Sequence, residues 1–373
     1  MADNVVVLDF GTATIKAGMA YNFPSEEEPR VVTPAAVKVM EESAAGAVSA
    51  AASNEELATL PGHIVTTGVR GTISNWDGFE SILHHILYNQ FGWEVGDEGS
   101  LLIAEPLYTS KADRERLTQL MFEEFNVSGL FLCDQAVLSL YAIGKLTGCV
   151  IDFGHGKTDI ASVSEGQLHV AGARRLEFGG IDLTQHLADL LKQRGITVDD
   201  PASLQWLKEQ CIRVAENAAL AAETPAEPKT YTLPNGQAVT ITNEGTLLGE
   251  AMLRPPIKDM DCPSVPDAIF MACTSHVDPG LRKACLETML VCGGGSGVPG
   301  LLPRLHKEMT ALCPPSLQPQ FCTCPGYMPE HTFKYSVWMG GAILSKVIFQ
   351  QNQHITKYEY DEMGPTVVHK KCA

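Results

Sequence analysis

Apolar and polar positions along the chain follow two periods. Runs rich in Val and Ile that end in turn residues predict strands, and stripes spaced three and four apart predict helices. Two stretches nearly repeat each other: VVVLDFGTATIKAG from Val5 to Gly18, and CVIDFGHGKTDIA from Cys149 to Ala161. Each is an apolar run closing on Asp-Phe-Gly, then a short turn, then a second strand-like run. Asp9 and Asp152 lie 143 positions apart, a period that predicts a duplicated domain and not a solenoid of short repeats. Further strands are predicted at 30–39, 65–74, 101–104 (ended by Pro106), 131–133 and 288–292, with a hairpin over 231–241 turning at Pro-Asn-Gly.

The helical stripes lie between these strands. Asn75-Trp76-Asp77 opens one carrying Phe79, Ile82, Leu83, Ile86, Leu87 and Phe91. Ser110 with Asp113 three residues on predicts a capping box for a helix carrying Leu117, Leu120, Met121 and Phe125. Gln135 begins QAVLSLYAIGKL, and Glu165-Gly166 turns the second hairpin. Asp182 is expected as the N-cap of a helix bearing Leu183, Leu187, Leu190 and Leu191 that Gly195 ends. Leu204 to Ala222 reads as another helix, burying Leu207, Cys211, Val214 and Ala218. YSVWMGGAILSKVIF near the C-terminus predicts a helix with close packing at Gly340-Gly341. Glu41 to Leu60 is Ala/Ser-rich with almost no apolar anchor, which predicts a mobile insertion or a frayed helix on a small tip.

Composition narrows the class. With 45% hydrophobic and 19% charged residues in 373, the chain is expected to be soluble, globular and of two or three domains, with no need of a disulfide or metal staple. A net charge of −17 argues against wrapping DNA and permits a basic protein partner. The 11 cysteines, with no signal-peptide pattern at the start, read as reduced thiols; Cys149, Cys211 and Cys292 sit inside apolar patterns. Cys313, Cys322 and Cys324 lack a fourth ligand at zinc spacing and read as a loop, and His84 and His85 read as rim residues on their helix. No apolar run is long enough to span a bilayer.

The chemistry gathers at the repeat. Gly11 and Gly154 can take positive φ and let backbone N–H groups approach an anion. Asp9 and Asp152, at strand ends beside such turns, can hold Mg²⁺ through water. Either copy alone is an ordinary tight hairpin; two copies with the same Asp-Phe-Gly predict a clamp on a triphosphate. Gly293-Gly294-Gly295, between a strand and the helix behind Pro299-Gly300, can admit a ribose or phosphate to the backbone.

NWDGFESILHHILYN, KADRERLTQLMFEEFN, QAVLSLYA, YTLPNGQ, KYSVWMGGAIL and YDEMGPTVVHKKC resemble actin and the actin-related proteins, over nearly the whole chain. FGWEVGDEG, FNVSG and FQQNQHITK are most similar to the class-seven actin-related proteins of plants. The resemblance implies an α/β fold of two RNase-H-like lobes around a nucleotide cleft. The first lobe would comprise 1–142 and 335–373, with a small tip at about 32–65; the second would comprise 143–334, with 179–261 its smaller subdomain. ATP or ADP with Mg²⁺ is the implied cofactor. Gly11, Thr12 and Lys16 match the first phosphate loop and Gly154, Gly156 and Thr158 the second, with Asp9 and Asp152 on the metal. Gln135 matches the residue that positions the attacking water, and Lys208, Glu209, Gly294, Gly295 and Lys334 fall at the adenosine site. Tyr141, Gly144, Leu344 and Val347 match a groove that takes amphipathic helices.

Departures from actin weaken the enzyme. His155 replaces an aspartate, Gln205 an arginine and Val298 an aromatic around the nucleoside; Asp159 replaces the histidine of the hydrolytic site and Arg70 the modified histidine. Nucleotide binding with little turnover is expected. The resemblance implies a nuclear, partly cytoplasmic subunit of a SWI/SNF-type chromatin remodeller, holding a basic helix of the remodeller ATPase beside a second actin-like subunit and reading no DNA sequence. The alternative is a polymerising, cytoskeletal actin-like ATPase, which the Ala/Ser-rich tip disfavours. A chaperone ATPase is expected to continue into a substrate domain, and a sugar kinase to lack this C-terminal helix and tail.

Overall fold

The Asp-Phe-Gly repeat in the sequence is a repeat in the structure. In the computed structural model, strands Val5–Phe10 and Thr14–Met19 pair antiparallel with Asp9 opposite Lys16. Strands Gly148–Phe153 and Thr158–Ser164 pair in the same way with Asp152 opposite Asp159. Both turns close on the same backbone bond: Gly11 N–H donates to Thr14 O at 3.0 Å, and Gly154 N–H to Lys157 O at 2.9 Å. Neither glycine has positive φ, contrary to expectation. Glycine is needed there for space: a Cβ would lie 3.1 Å from Thr14 O at the first turn and 2.9 Å from Lys157 O at the second. The structure describes residues 4–40, 48–60, 63–218, 227–256, 262–323, 325–326 and 330–372.

The chain divides into two compact units, each holding one hairpin. The first comprises Met1–Leu146, Glu165–Leu168 and Cys324–Ala373. Its six-stranded sheet runs in the order Ile355–Thr356, Gly129–Asp134, Ser100–Glu105, Val5–Phe10, Thr14–Met19, Val31–Pro34, and the second, third and fourth of these pair in parallel. Alternation along Val5–Phe10 serves both faces: Val6 and Leu8 enter a core with Ile82, Leu117, Met121 and Phe122. Val7 faces the helix Ser336–Ile348, where a Cβ on Gly341 would meet its Cγ1 at 2.6 Å. Burial on both faces is what a nearly unbroken Val/Leu run encodes. That helix also crosses the helix Gln135–Ala142 so closely that a Cβ on Gly340 would sit 1.7 Å from Leu138 O. The helix from Gln135 stops at Ala142, short of the predicted Leu146, because Gly144 turns the chain at φ 69°.

The tip is better anchored than its composition suggests. Helix Asn54–Thr59 is capped by Ser53, whose hydroxyl accepts from Glu56 N–H, and Ala51 and Leu57 are both buried. Thr33 Oγ1 donates to Ala51 O at 2.5 Å. The rest of the expected insertion, 41–47, lies outside the described residues.

The second unit comprises Thr147–Ser164 and His169–Thr323. Its hairpin pairs with Arg174–Leu176 on one side and, in parallel, with Met289–Cys292 on the other. Ile151, Ile160, Leu187, Leu207, Leu248, Ile269 and Leu305 share its core. Two expectations fail here. Asp182 is the third residue of helix Gly180–Gln193 and not its N-cap: its carboxylate accepts from the N–H of Gly179, the cap, at 2.8 Å. The helix expected from Leu204 to Ala222 starts at Pro201, capped by Asp200, and ends at Cys211. Beyond it the chain is extended and tied to neighbours, Arg213 N–H donating to Gly245 O and Val214 N–H to Pro299 O. A Cβ on Gly249 would lie 2.1 Å from Arg213 O, so tertiary packing on bare helix backbone overrides the local helical pattern. Residues 219–226 lie outside the described ones. Cys149, Cys211 and Cys292 are reduced, buried thiols as expected, and Cys324 is outside the described residues.

One buried polar cluster fixes the C-terminus of the first unit. Glu105 and Asp134 are register neighbours on parallel strands. Arg114 binds Glu105 at 2.9 Å and also donates to the Cys372 carbonyl. Burial, only partly offset by Arg114, pushes the Glu105 carboxyl up to about 7 and Asp134 up to about 6. Both hold a proton more tightly folded than unfolded. Their stabilising contribution is therefore complete below about pH 4 and is lost as pH rises through 6 to 7. Denaturant unfolding at pH 5 and pH 8 should show wild type losing on the order of 1–3 kcal/mol on going up, and Glu105→Gln should lose less than half as much. Equal slopes for the two proteins would contradict this.

Candidate functional site

In the first unit the register places Cys133, Ala104, Asp9, Lys16 and Val32 in one row across the sheet. Directly opposed residues point to the same face, so Asp9 and Lys16 meet, Nζ to Oδ2 at 2.8 Å. Gln135, the first helical residue after strand Gly129–Asp134, donates its side-chain amide to the other Asp9 oxygen at 2.8 Å. Asp9 is 2% exposed. A buried carboxylate held by an ammonium and an amide is a fixed negative group beside the Gly11-Thr12 turn. A shallow apolar hollow next to that turn is lined by Phe10, Gly11, Thr12, Thr67, Gly71 and Ile73. Arg70 stands at the tip of the hairpin Gly68–Ile73 with φ 47°.

The second unit has the corresponding row Cys292, Asp152, Asp159, Arg175. Here the position of Lys16 holds Asp159, so two carboxylates stand opposite each other. Arg175 grips Asp159 with both arms, Nε to Oδ1 at 2.8 Å and Nη2 to Oδ2 at 2.9 Å, and Lys157 binds the same carboxylate. Asp152 lies against the glycine run: Gly293 has φ 82°, and a Cβ there would be 2.1 Å from Asp152 Oδ1. Gly295 packs on Phe153, whereas a Cβ on Gly294 would meet nothing within 4 Å. Gly294 thus bares backbone to open space one residue from the Asp152 carboxylate.

The remaining expected site residues divide. Lys208 is buried and donates to Gly180 O at 2.9 Å; burial lowers its pKa. The His155 ring beside Gly180 is likewise lowered, by burial first and then by Lys208, which favours the neutral ring. Glu209 is on the exposed side of its helix and accepts from Gln205 at 3.1 Å. Thr158 turns its hydroxyl inward to Phe178 O at 3.0 Å, and Gly156 is buried beneath Gly179. Val298 packs on the core of the unit. Lys334, in the first unit, is exposed with its ammonium 4.6 Å from the Tyr335 ring centroid. Of the groove residues, all in the first unit, Gly144 and Val347 are exposed, Tyr141 is half-buried and Leu344 is buried.

Lys157 and Arg175 went unnoticed in the sequence. The signal was present in the register: aligning the two hairpins puts a carboxylate where the first has a lysine, and a buried carboxylate demands cations nearby. Carboxylate oxygens, lysines and bare glycine backbone are the donors that a magnesium nucleotide takes, so the residues present fit one.

The comparisons agree with this geometry. The family described as Actin matches residues 2–204 and 197–373. "Actin-related protein 7" of Oryza sativa, subspecies indica and japonica, is 42% identical over 374 residues, covering 98% of this chain and 99% of the relative. "Actin-related protein 7" of Arabidopsis thaliana is 39% identical over 369 residues, with the same coverage. The chain belongs to the actin family, among its actin-related members. Members of that family bind nucleotide with Mg²⁺.

Gly293→Ala tests the seat of Asp152. The new Cβ meets both positive φ and the carboxylate, so the melt without nucleotide should fall by about 1–3 kcal/mol of stability. Stabilisation by Mg-ATP should disappear in the same variant. A variant that melts and responds to Mg-ATP like wild type would show that Gly293 does not position Asp152.

Proposed function

We propose that this chain is a structural, non-filament subunit of a SWI/SNF-type chromatin-remodelling complex in the nucleus, with some in the cytoplasm. In this reading it holds Mg²⁺ with ATP or ADP and turns it over little or not at all. It takes a basic amphipathic helix of the remodeller ATPase beside a second actin-like subunit. The observation that carries the reading is Asp159: at the position of actin's hydrolytic histidine stands a carboxylate engaged by Lys157 and Arg175. A base held in the bidentate grip of Arg175 cannot take a proton from water without losing that ion pair. When bound, the nucleotide and its metal would supply charge; within the first unit Asp9 and Lys16, and within the second Asp152 and the glycine run, are the groups that would meet them.

The partner surface rests on other features. Val347 is 46% and Leu146 52% exposed in the unit that carries Tyr141 and Gly144, which offers apolar contact to one face of a helix. The net charge of −17 favours a Lys/Arg-rich helix by steering and disfavours a direct grip on DNA. No helix among the described residues is long and apolar enough to cross a membrane. Against the polymerising alternative, Leu57 and Ala51 of the tip are buried in their own unit and offer no plug to a neighbour.

A synthetic Lys/Arg-rich amphipathic helix should capture the full chain and release it as salt rises. Val347→Asp should weaken capture at least about tenfold while leaving the melt unchanged. Leu344→Asp is the wrong probe, since Leu344 is 7% exposed and a carboxylate there would unfold the helix packing. Undiminished capture by Val347→Asp would remove this surface from the proposal.

A further inference from the structure

The second turn brings two cations to one carboxylate. Asp159 is satisfied by the planar fork of Arg175, one bond to each oxygen. Bidentate pairing of this kind is the strongest a carboxylate obtains from a side chain. Lys157 nevertheless brings a second positive charge to the same carboxylate and is 6% exposed. A buried ammonium is costly, and here it adds to an acid that already has a bidentate partner.

Geometry says where that ammonium can go. Lys157 is the last turn residue before strand Thr158–Ser164, and its ammonium meets Asp159 on the face where Asp152 stands opposite. The backbone beneath is pinned. Gly154 N–H is bonded to Lys157 O, and Gly179 packs so closely that a Cβ there would be 2.5 Å from Lys157 N and 2.6 Å from His155 O. The flexible side chain can therefore turn while the turn itself stays fixed. In the first hairpin the cation on this face is Lys16, register partner of Asp9. The second has an acid there, and its cation enters two residues earlier.

We propose that Lys157 is a phosphate-binding residue of the second turn, parked on Asp159 until a polyphosphate takes its ammonium. The exchange leaves Asp159 paired with Arg175, so it strands no charge. The ligand class is a di- or triphosphate anion, free or as part of a nucleotide. This rests on the nucleotide reading above and adds to it a residue absent from the phosphate-loop positions that the family resemblance supplies.

Calorimetric titration of the full chain with Mg-ATP, with ATP in chelator, with tripolyphosphate and with adenosine separates the sources. Wild type should bind ATP and tripolyphosphate. Lys157→Met should bind both at least about tenfold more weakly, adenosine should be unaffected, and Lys157→Arg should restore most of the loss. Asp159→Asn gives the opposite sign: it removes the carboxylate that Lys157 and Arg175 share, so its nucleotide-free melting temperature should fall while its stabilisation by ATP grows. A purely structural role for Lys157 would lower the melt without changing the titration. Binding by Lys157→Met equal to wild type, or an Asp159→Asn protein with no larger response to ATP, overturns the assignment of Lys157 alone. Wild type that binds neither ATP nor tripolyphosphate overturns the nucleotide reading and this proposal together.

Discussion

Two carboxylates directly opposite each other on paired strands repel, and the second unit is arranged around that repulsion. Asp152 and Asp159 occupy one register pair. Like charges so placed destabilise a sheet even where water screens them, and Asp159 is buried where screening is weaker while Asp152 is half-buried. The remedy draws in a third strand, Arg174–Leu176, which pairs with Thr158–Ser164 and delivers Arg175 in register with Asp159. It also draws in Lys157 from the turn. Removing the shared acid would cost on the order of 3–5 kcal/mol, whereas Arg175 alone keeps Asp159 paired through one bond to each oxygen. The first unit needs no such remedy, because Lys16 stands where Asp159 would be.

This asymmetry separates holding a ligand from transforming it. The first hairpin keeps Asp9, Lys16 and Gln135 in mutual contact. The second keeps Asp152 seated on Gly293 with Gly294 open beside it. In the proposed reading, each hairpin within its own unit offers groups suited to phosphates or a hydrated cation. What has changed is the group that would act on water, now an acid tied to two cations.

The fold was largely legible in the sequence because its signals are local. Asp-Phe-Gly twice, the Ser110–Asp113 box and the Pro-Asn-Gly turn each specify their own element by hydrogen bonds a few residues long. The misses were tertiary. The helix expected to run on to Ala222 yields at Ile212 to glycine-lined helices that take an extended segment between them. Asp182 serves the cap from three residues inside the helix, a role that composition does not distinguish from the cap itself. Leu57 and Ala51 looked like part of an unanchored tract and are buried. At the site, glycines and aspartates could be found by spacing. Lys157 and Arg175 emerged only once register showed which residues stand opposite which, since Arg175 is distant in sequence from the acid it grips.

The central claim is that this chain holds a nucleotide that its altered second hairpin does not hydrolyse, and one measurement addresses it directly. Purified protein is mixed with a stoichiometric amount of labelled Mg-ATP, and bound ATP and ADP are followed over hours. The account predicts bound ATP that persists with no ADP above the spontaneous rate, and unmasked hydrolysis or none at all in Asp159→His, but never a faster rate in wild type than in that variant. Conversion of bound ATP to ADP by wild type within minutes, at a rate that Asp159→His does not exceed, would contradict it.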